Sequence, residues 1–386
     1  MDRWAGIPLV RTAAVLRRPG QMPDPATVRK VGVMTSTTLG DTLLASGAVQ
    51  DVKALWPGAE LVFFAAPQNR GAAELLPAVD RVVEFPLTRP WRAVAALRRE
   101  RLDVMVDFSG WQRLAALLTV GSRARFTAGF ERAGQHRHYA YDLVVEHRGD
   151  RHETENFRAM VAGLRSAMRL QIAAGHKLSL RKDIWETPLD ARWRDAVVLH
   201  CWATGAAHGL REWPEEHWSE LATQLQLRWP AAKFVLTGAA SDHARSEALA
   251  ERLRAVNLPA EVYAAESGLA AVARLLRAAR LVVSVNTGTM HLAAIAGAPT
   301  VSINGPNRAG RWGPVGARAA SVEAPGPGCG YLDLGWEWRL DPSARGETNC
   351  MARTPVDAVM AAVERVLANP DAEKKLAGKE SAVGAH

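Results

Sequence analysis

Long apolar runs are missing from this chain. No stretch of roughly 18 or more apolar residues occurs, so no membrane-spanning helix is expected. Cysteine is scarce. Cys201, Cys329 and Cys350 are too few for a disulfide framework, and an odd count suits a reducing, cytoplasmic setting. Cys329 and Cys350 are not spaced as zinc-ribbon ligands, so no metal site is expected from them. Aromatic residues make up only 6% of the chain, and no nucleic-acid-binding motif is present, so nucleic acid is not an expected partner. Neither opening strand is followed by Gly-x-Gly-x-x-Gly, which disfavours a nicotinamide dehydrogenase. The N-terminal residues, MDRWAGIPLVRTAAVLRRPGQ, lack a continuous apolar centre and a small-residue cleavage site, and are not expected to act as a secretory leader. No internal repeat is visible beyond a general similarity of the two halves.

What is present is a chain of 386 residues, 48% hydrophobic and 23% charged, the balance of a globular protein. That length exceeds one ordinary core, and two domains are expected. The net charge of +8 calls for an anionic partner. Phosphorylated small molecules or an anionic headgroup fit it, with at most peripheral contact with a membrane.

The most informative stretch runs from 279 to 314. Leu281 to Val285 is a short β-branched run, expected as a strand buried on both faces of a parallel sheet. The polar turn Asn286-Thr287-Gly288-Thr289 follows, then an apolar helix through Met290 and His291, then a strand ending near Asn304. The amino end of such a helix offers unpaired N–H groups and a positive dipole end, a ready place for phosphate. Elsewhere, strands expected at 28–35, 61–65, 81–85 and 102–107 alternate with helices at 42–55, 92–100 and 114–120. A long helix follows near 148–164. A second set begins at 196–200 and continues at 233–237 and 261–263, and a last helix at 355–367 opens on Thr354-Pro355. Regular alternation predicts parallel, doubly wound sheets. The expected divisions are an extension at 1–27, best read as a poorly ordered terminus, a first domain at 28–185, a second at 186–353, and a C-terminal helix and tail at 354–386.

Three groups of residues resemble glycosyltransferase family 9, the bacterial heptosyltransferases. Thr35-Ser36-x-x-Leu39-Gly40-Asp41 opens the first domain, and Trp213-Pro214-Glu215-Glu216-His217-Trp218 opens the second. Thr287, Gly288, His291, Ala293, Ala294, Gly305, Pro306, Trp312, Gly313 and Pro314 match the family's nucleotide-sugar signature, with Asn286 standing where the family has Asp. The resemblance covers roughly residues 28–368. It implies an α/β fold of the GT-B type, two Rossmann-like doubly wound domains facing across a cleft, and an inverting, metal-independent transfer without a cofactor. The implied donor is a nucleotide sugar, ADP-heptose or a relative. The implied acceptor is the inner core of lipopolysaccharide or, given the loop departures, a small-molecule glycoside. No Asp-x-Asp pair of the metal-dependent glycosyltransferases is present.

On this resemblance Asp41 is the base that takes the acceptor proton, although an Asp before an apolar run also reads as a helix cap. Thr204, Arg211, Asp242, Asn286, Thr287, Gly288, Thr289 and His291 form the donor site. Arg211 reads otherwise as a solvated loop cation, Asp242 as an exposed loop acid and His291 as a buried structural histidine. Asn286 keeps the hydrogen-bonding shape of Asp, its amide oxygen still able to accept. Ser36, Thr37, Arg70, Arg113 and Arg123, with Arg125 and Arg132 beside them, are expected in strand-to-helix loops as acceptor contacts. A catalytically silent sugar-nucleotide-binding module is the alternative.

Overall fold

The computed structural model describes residues 5–17, 19–35, 37–85, 88–170, 175–205, 208–263, 268–325 and 350–368. Ser36, assigned above to the acceptor site, and Cys329 lie outside the described residues. The chain divides into two compact units, Met1–Lys182 and Asp183–His386. The division precedes the expected boundary by three residues because the turn Asp183–Trp185 is fastened to the second unit. There Arg274 Nη1 donates to the Ile184 carbonyl at 3.1 Å and the Arg277 guanidinium lies 4.5 Å over the Trp185 ring.

The first unit contains α1 (Ile7–Leu16), β1 (Lys30–Met34), α2 (Leu39–Leu44), α3 (Ser46–Leu55), β2 (Glu60–Ala65), α4 (Arg70–Ala73) and β3 (Arg81–Glu84). It continues with α5 (Pro90–Glu100), β4 (Val104–Asp107), α6 (Arg113–Ser122), β5 (Phe126–Glu131), β6 (Leu143–Glu146) and α7 (Glu153–Met168). Its six strands lie in the order β3-β2-β1-β4-β5-β6, every pairing parallel. Val31, Val33, Val62, Phe63, Val104 and Val106 are buried, as strands covered on both faces require. From β1 the chain leaves toward β2, and from β4 toward β5, in opposite directions. The carboxyl ends of β1 and β4 therefore flank the crevice where ligands of open α/β sheets bind.

Part of the N-terminal extension packs against the first unit. Val10 of α1 is fully buried in a cluster with Ala116, Ala140 and Tyr141. Arg17 pairs with Asp142 at 2.8 Å, and Asp142 also accepts from the backbone N–H groups of Gly20 at 2.7 Å and Thr127 at 2.9 Å. One carboxylate thus ties the extension to the start of β5.

The second unit contains β7 (Val197–His200), α8 (Glu215–Arg228), β8 (Phe234–Leu236), α9 (His243–Ala255), β9 (Ala260–Val262), α10 (Gly268–Ala278) and β10 (Leu281–Val285). It ends with α11 (Gly288–Ala296), β11 (Thr300–Asn304), α12 (Ala309–Trp312), β12 (Ala319–Glu323) and α13 (Val356–Leu367). The parallel order is β12-β11-β10-β7-β8-β9, so the direction of winding reverses between β7 and β10. Trp213 and Trp218 meet edge to face at 5.1 Å inside the core, and Trp213 Nε1 donates to the Thr354 carbonyl at 3.0 Å. With Val359 and Val363 in the same cluster, α13 completes this unit's core rather than standing apart from it.

Candidate active site

The turn after β10 is held by one side chain. Asn286 Nδ2 donates to Asn304 Oδ1 at 2.5 Å and to the Trp312 carbonyl at 2.9 Å, both buried. This joins the two separated parts of the 279–314 stretch. Asn286 was expected to matter as an acceptor, but these two bonds use its amide as a donor, which an ionised Asp cannot be. Thr287 is the N-cap of α11, yet its side chain makes no capping bond. The first-turn residues Thr287, Gly288 and Thr289 are half-exposed, while Met290 and His291 behind them are buried. The amino end of α11 therefore offers reachable N–H groups at the winding reversal of the sheet.

The loop after β7 forms the other side of that crevice. Arg211 donates through Nη2 to the Thr204 carbonyl, joining two of the expected donor residues. Arg211 is half-buried rather than fully solvated, and burial holds its guanidinium below its ordinary pKa. Glu212 fixes the loop. Its carboxylate accepts from Arg245 Nη2 at 2.6 Å and from the Ala203 N–H at 3.2 Å. Burial alone would raise the Glu212 pKa, but these hydrogen bonds outweigh it and hold the pKa below the ordinary value. Arg245 in turn lies 3.9 Å over the Trp202 ring, whose Nε1 donates to Ser246 Oγ at 2.9 Å. Glu212, Arg245 and Trp202 were not singled out from the sequence. Asp242 is buried, not an exposed loop acid, and its Oδ2 accepts from the Ala239 N–H at 2.9 Å. At the end of β7, His200 Nδ1 meets Thr237 Oγ1 at 2.9 Å.

In the first unit, Asp41 sits in the first turn of α2, 6% exposed, after the carboxyl end of β1. Its backbone N–H donates to Thr38 Oγ1 at 3.1 Å, so the capping role belongs to Thr38. The helix start favours an ionised carboxylate at that position. A buried knot supports the turn: Thr42 Oγ1 lies 2.9 Å from Thr35 Oγ1 and accepts from Asn69 Nδ2 at 2.9 Å. Across the crevice, at the end of β4, Asp107 is fully buried. Its Oδ2 accepts from Arg137 at 2.6 Å and from the Tyr141 hydroxyl at 2.5 Å. Burial, reinforced by Asp107, pushes the Tyr141 phenol well above its ordinary pKa, so it remains a donor. Beyond Asp107, the loop passes so close to His147 that a Cβ at Gly110 would lie 2.8 Å from Nε2, and His147 Nε2 meets Glu153 Oε1 at 2.8 Å.

The expected acceptor arginines separate. Arg113 is at the carboxyl edge of the sheet but buried, with Nε donating to the Gln135 carbonyl at 2.8 Å. Arg70 is exposed at the end of β2 and pairs with Glu74 at 2.7 Å and Glu84 at 3.2 Å. Arg123 and Arg125 are not in a strand-to-helix loop. They lie between the end of α6 and the start of β5, at the opposite, amino edge. Thr37 is part-exposed beside the cap of α2.

A model of glycosyltransferase family 9 (heptosyltransferase) matches residues 91–329, more than half of the chain. The chain belongs to glycosyltransferase family 9. Lipopolysaccharide heptosyltransferase 1 of Escherichia coli strain K12 is 25% identical over 319 residues, covering 77% of this chain and 94% of that protein. The solved structure of E. coli heptosyltransferase WaaC with ADP superposes with a TM-score of 0.66 at 22% identity, covering 87% of this chain and 99% of that one. A family 9 glycosyltransferase from Veillonella parvula gives 0.69 at 16% identity, covering 90% and 99%. The fold is thus the GT-B type of this family, with two doubly wound α/β units, and the protein is a glycosyltransferase.

Two outcomes are expected for this family 9 glycosyltransferase. Asn286→Asp places a carboxylate against the Trp312 carbonyl and removes its donor, and should lower stability by roughly 1–3 kcal/mol. Urea melts check it, and an unchanged midpoint would show that the donor role is idle. Burial, partly offset by Thr237, lowers the His200 pKa to about 4. The unfolded chain takes up this proton near its ordinary value of about 6.5, so stability should fall as pH drops from about 6.5 to 4, by about 3 kcal/mol in all. Melts across that range should be less pH-dependent in His200→Gln; identical pH dependence would remove His200 as the cause.

Proposed function

We propose that this protein transfers a heptose from ADP-heptose, with inversion and without a metal, to a hydroxyl of an acceptor. The acceptor is the inner core of lipopolysaccharide or a small glycoside, and the setting is the cytoplasm. The observation that carries this reading is the contrast between the two winding reversals. That of the first unit presents a carboxylate, Asp41, on a helix whose cap is already supplied by Thr38. That of the second presents the opposite, a half-exposed helix start whose N-cap hydroxyl makes no capping bond. The first suits a base and the second suits a diphosphate.

In this mechanism the N–H groups of Thr287, Gly288 and Thr289 receive the diphosphate, with His291 behind them. Arg211, held over Thr204, neutralises the charge that grows as the phosphate–sugar bond breaks. Asp242, at the end of the same sheet, faces the nucleoside. Asp41 accepts the acceptor's hydroxyl proton while that oxygen attacks the anomeric carbon from the side opposite the leaving diphosphate. Thr37 and Arg113 stand at the acceptor edge of the first unit, and Arg70 at its exposed margin. The related lipopolysaccharide heptosyltransferases, the 25% identity to them and the fold shared with the ADP-bound enzyme support the donor and the lipopolysaccharide acceptor.

Mass spectrometry of ADP-heptose incubated with deacylated lipopolysaccharide core, or with small glycosides, tests the reaction. Asp41→Asn should abolish transfer while leaving the ADP dissociation constant nearly unchanged; equal loss of both would make Asp41 structural. Arg211→Ala should weaken ADP binding by roughly 1–3 kcal/mol, the range of a charge-assisted bond, whereas an unaltered constant would remove it from the donor site.

A further inference from the structure

The amino edge of the first unit's sheet, the end remote from Asp41, carries an uncompensated group of arginines. Lys30 and Arg81 on this edge are matched by Glu60 and Glu100, and Arg125 by Asp103 at 3.3 Å. Arg29, Arg99, Arg101 and Arg123 are exposed and have no carboxylate partner among the described residues, and Arg98 donates only to the Gly121 carbonyl. An open groove of about 760 Å³ is lined by Arg29, Arg98, Arg99 and Arg101 together with Lys30 and the already paired Glu100 and Asp103.

Two further observations concern this edge. Arg101 and Arg123 close the packed helices α5 and α6 with φ of 52° and 58°, the left-handed conformation in which glycine is the favoured residue. The second unit uses Gly297 for the same purpose at the end of α11. A cation at a helix end gains from the dipole, but one in the preceding turn would gain as much without the backbone strain. The end of α1 also comes here, as Arg17 pairs with Asp142 and Gly20 approaches the Arg125 carbonyl so closely that a Cβ would lie 2.1 Å from it. The last two residues of α1, Val15 and Leu16, are 85% and 80% exposed.

We propose that this edge, with Arg29, Arg99, Arg101 and Arg123 as its charges and Val15 and Leu16 as its apolar tips, docks on an anionic lipid bilayer. Unpaired cations beside exposed aliphatic side chains fit headgroup phosphates with shallow apolar insertion. A polyanion in solution would use the charges and leave the aliphatic tips unmatched. Strand β1 is five residues long, so the carboxyl edge with Asp41 stands about 17 Å from the docked edge. That spacing suits a sugar carried outward from a lipid rather than the lipid itself.

Cosedimentation of the full chain with phosphatidylcholine vesicles, with and without phosphatidylglycerol, tests the proposal. Binding is expected only to the anionic vesicles, and rising salt should release it. The double variant Arg101→Gly/Arg123→Gly should lose roughly 25-fold in partitioning, about fivefold per charge. Its Tm should hold or rise, because glycine relieves both left-handed positions. Val15→Ser/Leu16→Ser should weaken binding in a way that salt does not mimic. The proposal is overturned if neither vesicle is bound, if neutral vesicles bind equally, or if the arginine variant partitions like the parent. Tighter binding to duplex DNA than to vesicles overturns it as well.

Discussion

The donation of the Asn286 amide to Asn304 and to the Trp312 carbonyl is the contact on which the second unit's site depends. It fixes the residue immediately before the N-cap of α11, and so sets the direction in which the first N–H groups of that helix point. It also anchors the end of α12, in the connection after β11, through the Trp312 carbonyl. Because both partners are acceptors in these bonds, the position calls for a side chain that donates. That gives a physical reason for the amide where the family pattern has a carboxylate, and it leaves the half-exposed start of α11 without an added negative charge.

The two units solve the same topological problem with different chemistry. Each reverses its winding between adjacent central strands, and each presents the loop after one of those strands together with a helix start. In the first unit the cap is a threonine, the supporting knot is made of hydroxyls and one amide, and the carboxylate of Asp41 lies beside them. A fully buried Arg137–Asp107 pair with Tyr141 stiffens the neighbouring strand end. In the second unit the support is the Glu212–Arg245 pair stacked on Trp202, and the helix start is left open.

Much of this was legible in the sequence. β1, β2, β4, β7, β10 and β11 are short runs that each carry at least two Val, Ile or Phe residues, and the alternation with helices led directly to two parallel sheets. β5, β6 and β12 were missed because β5 mixes its two Phe residues with Thr, Ala and Gly, and β6 and β12 are part-exposed edge strands. α1 gave little sign of docking, since its anchorage rests on Val10 and on Arg17 reaching Asp142, more than a hundred residues away. Residues with a motif around them, Asp41, Arg211 and Thr287 to His291, lie in the segments that follow β1, β7 and β10. The single arginines do not share one fate: Arg113 is a buried clamp, Arg70 an exposed ion pair and Arg123 a helix terminus. A lone cation in sequence carries no information about which edge of a sheet it will occupy. The donor sense of Asn286 was unreadable for the same reason, as its partners lie 18 and 26 residues away.

Amide hydrogen exchange with and without ADP tests most directly that α11 holds the diphosphate. ADP should slow exchange at Thr287, Gly288, Thr289 and Met290 and in the 208–211 segment, while Gly40 and Asp41 keep their rates. Protection confined to other strand ends, or none in the first turn of α11, would contradict the account.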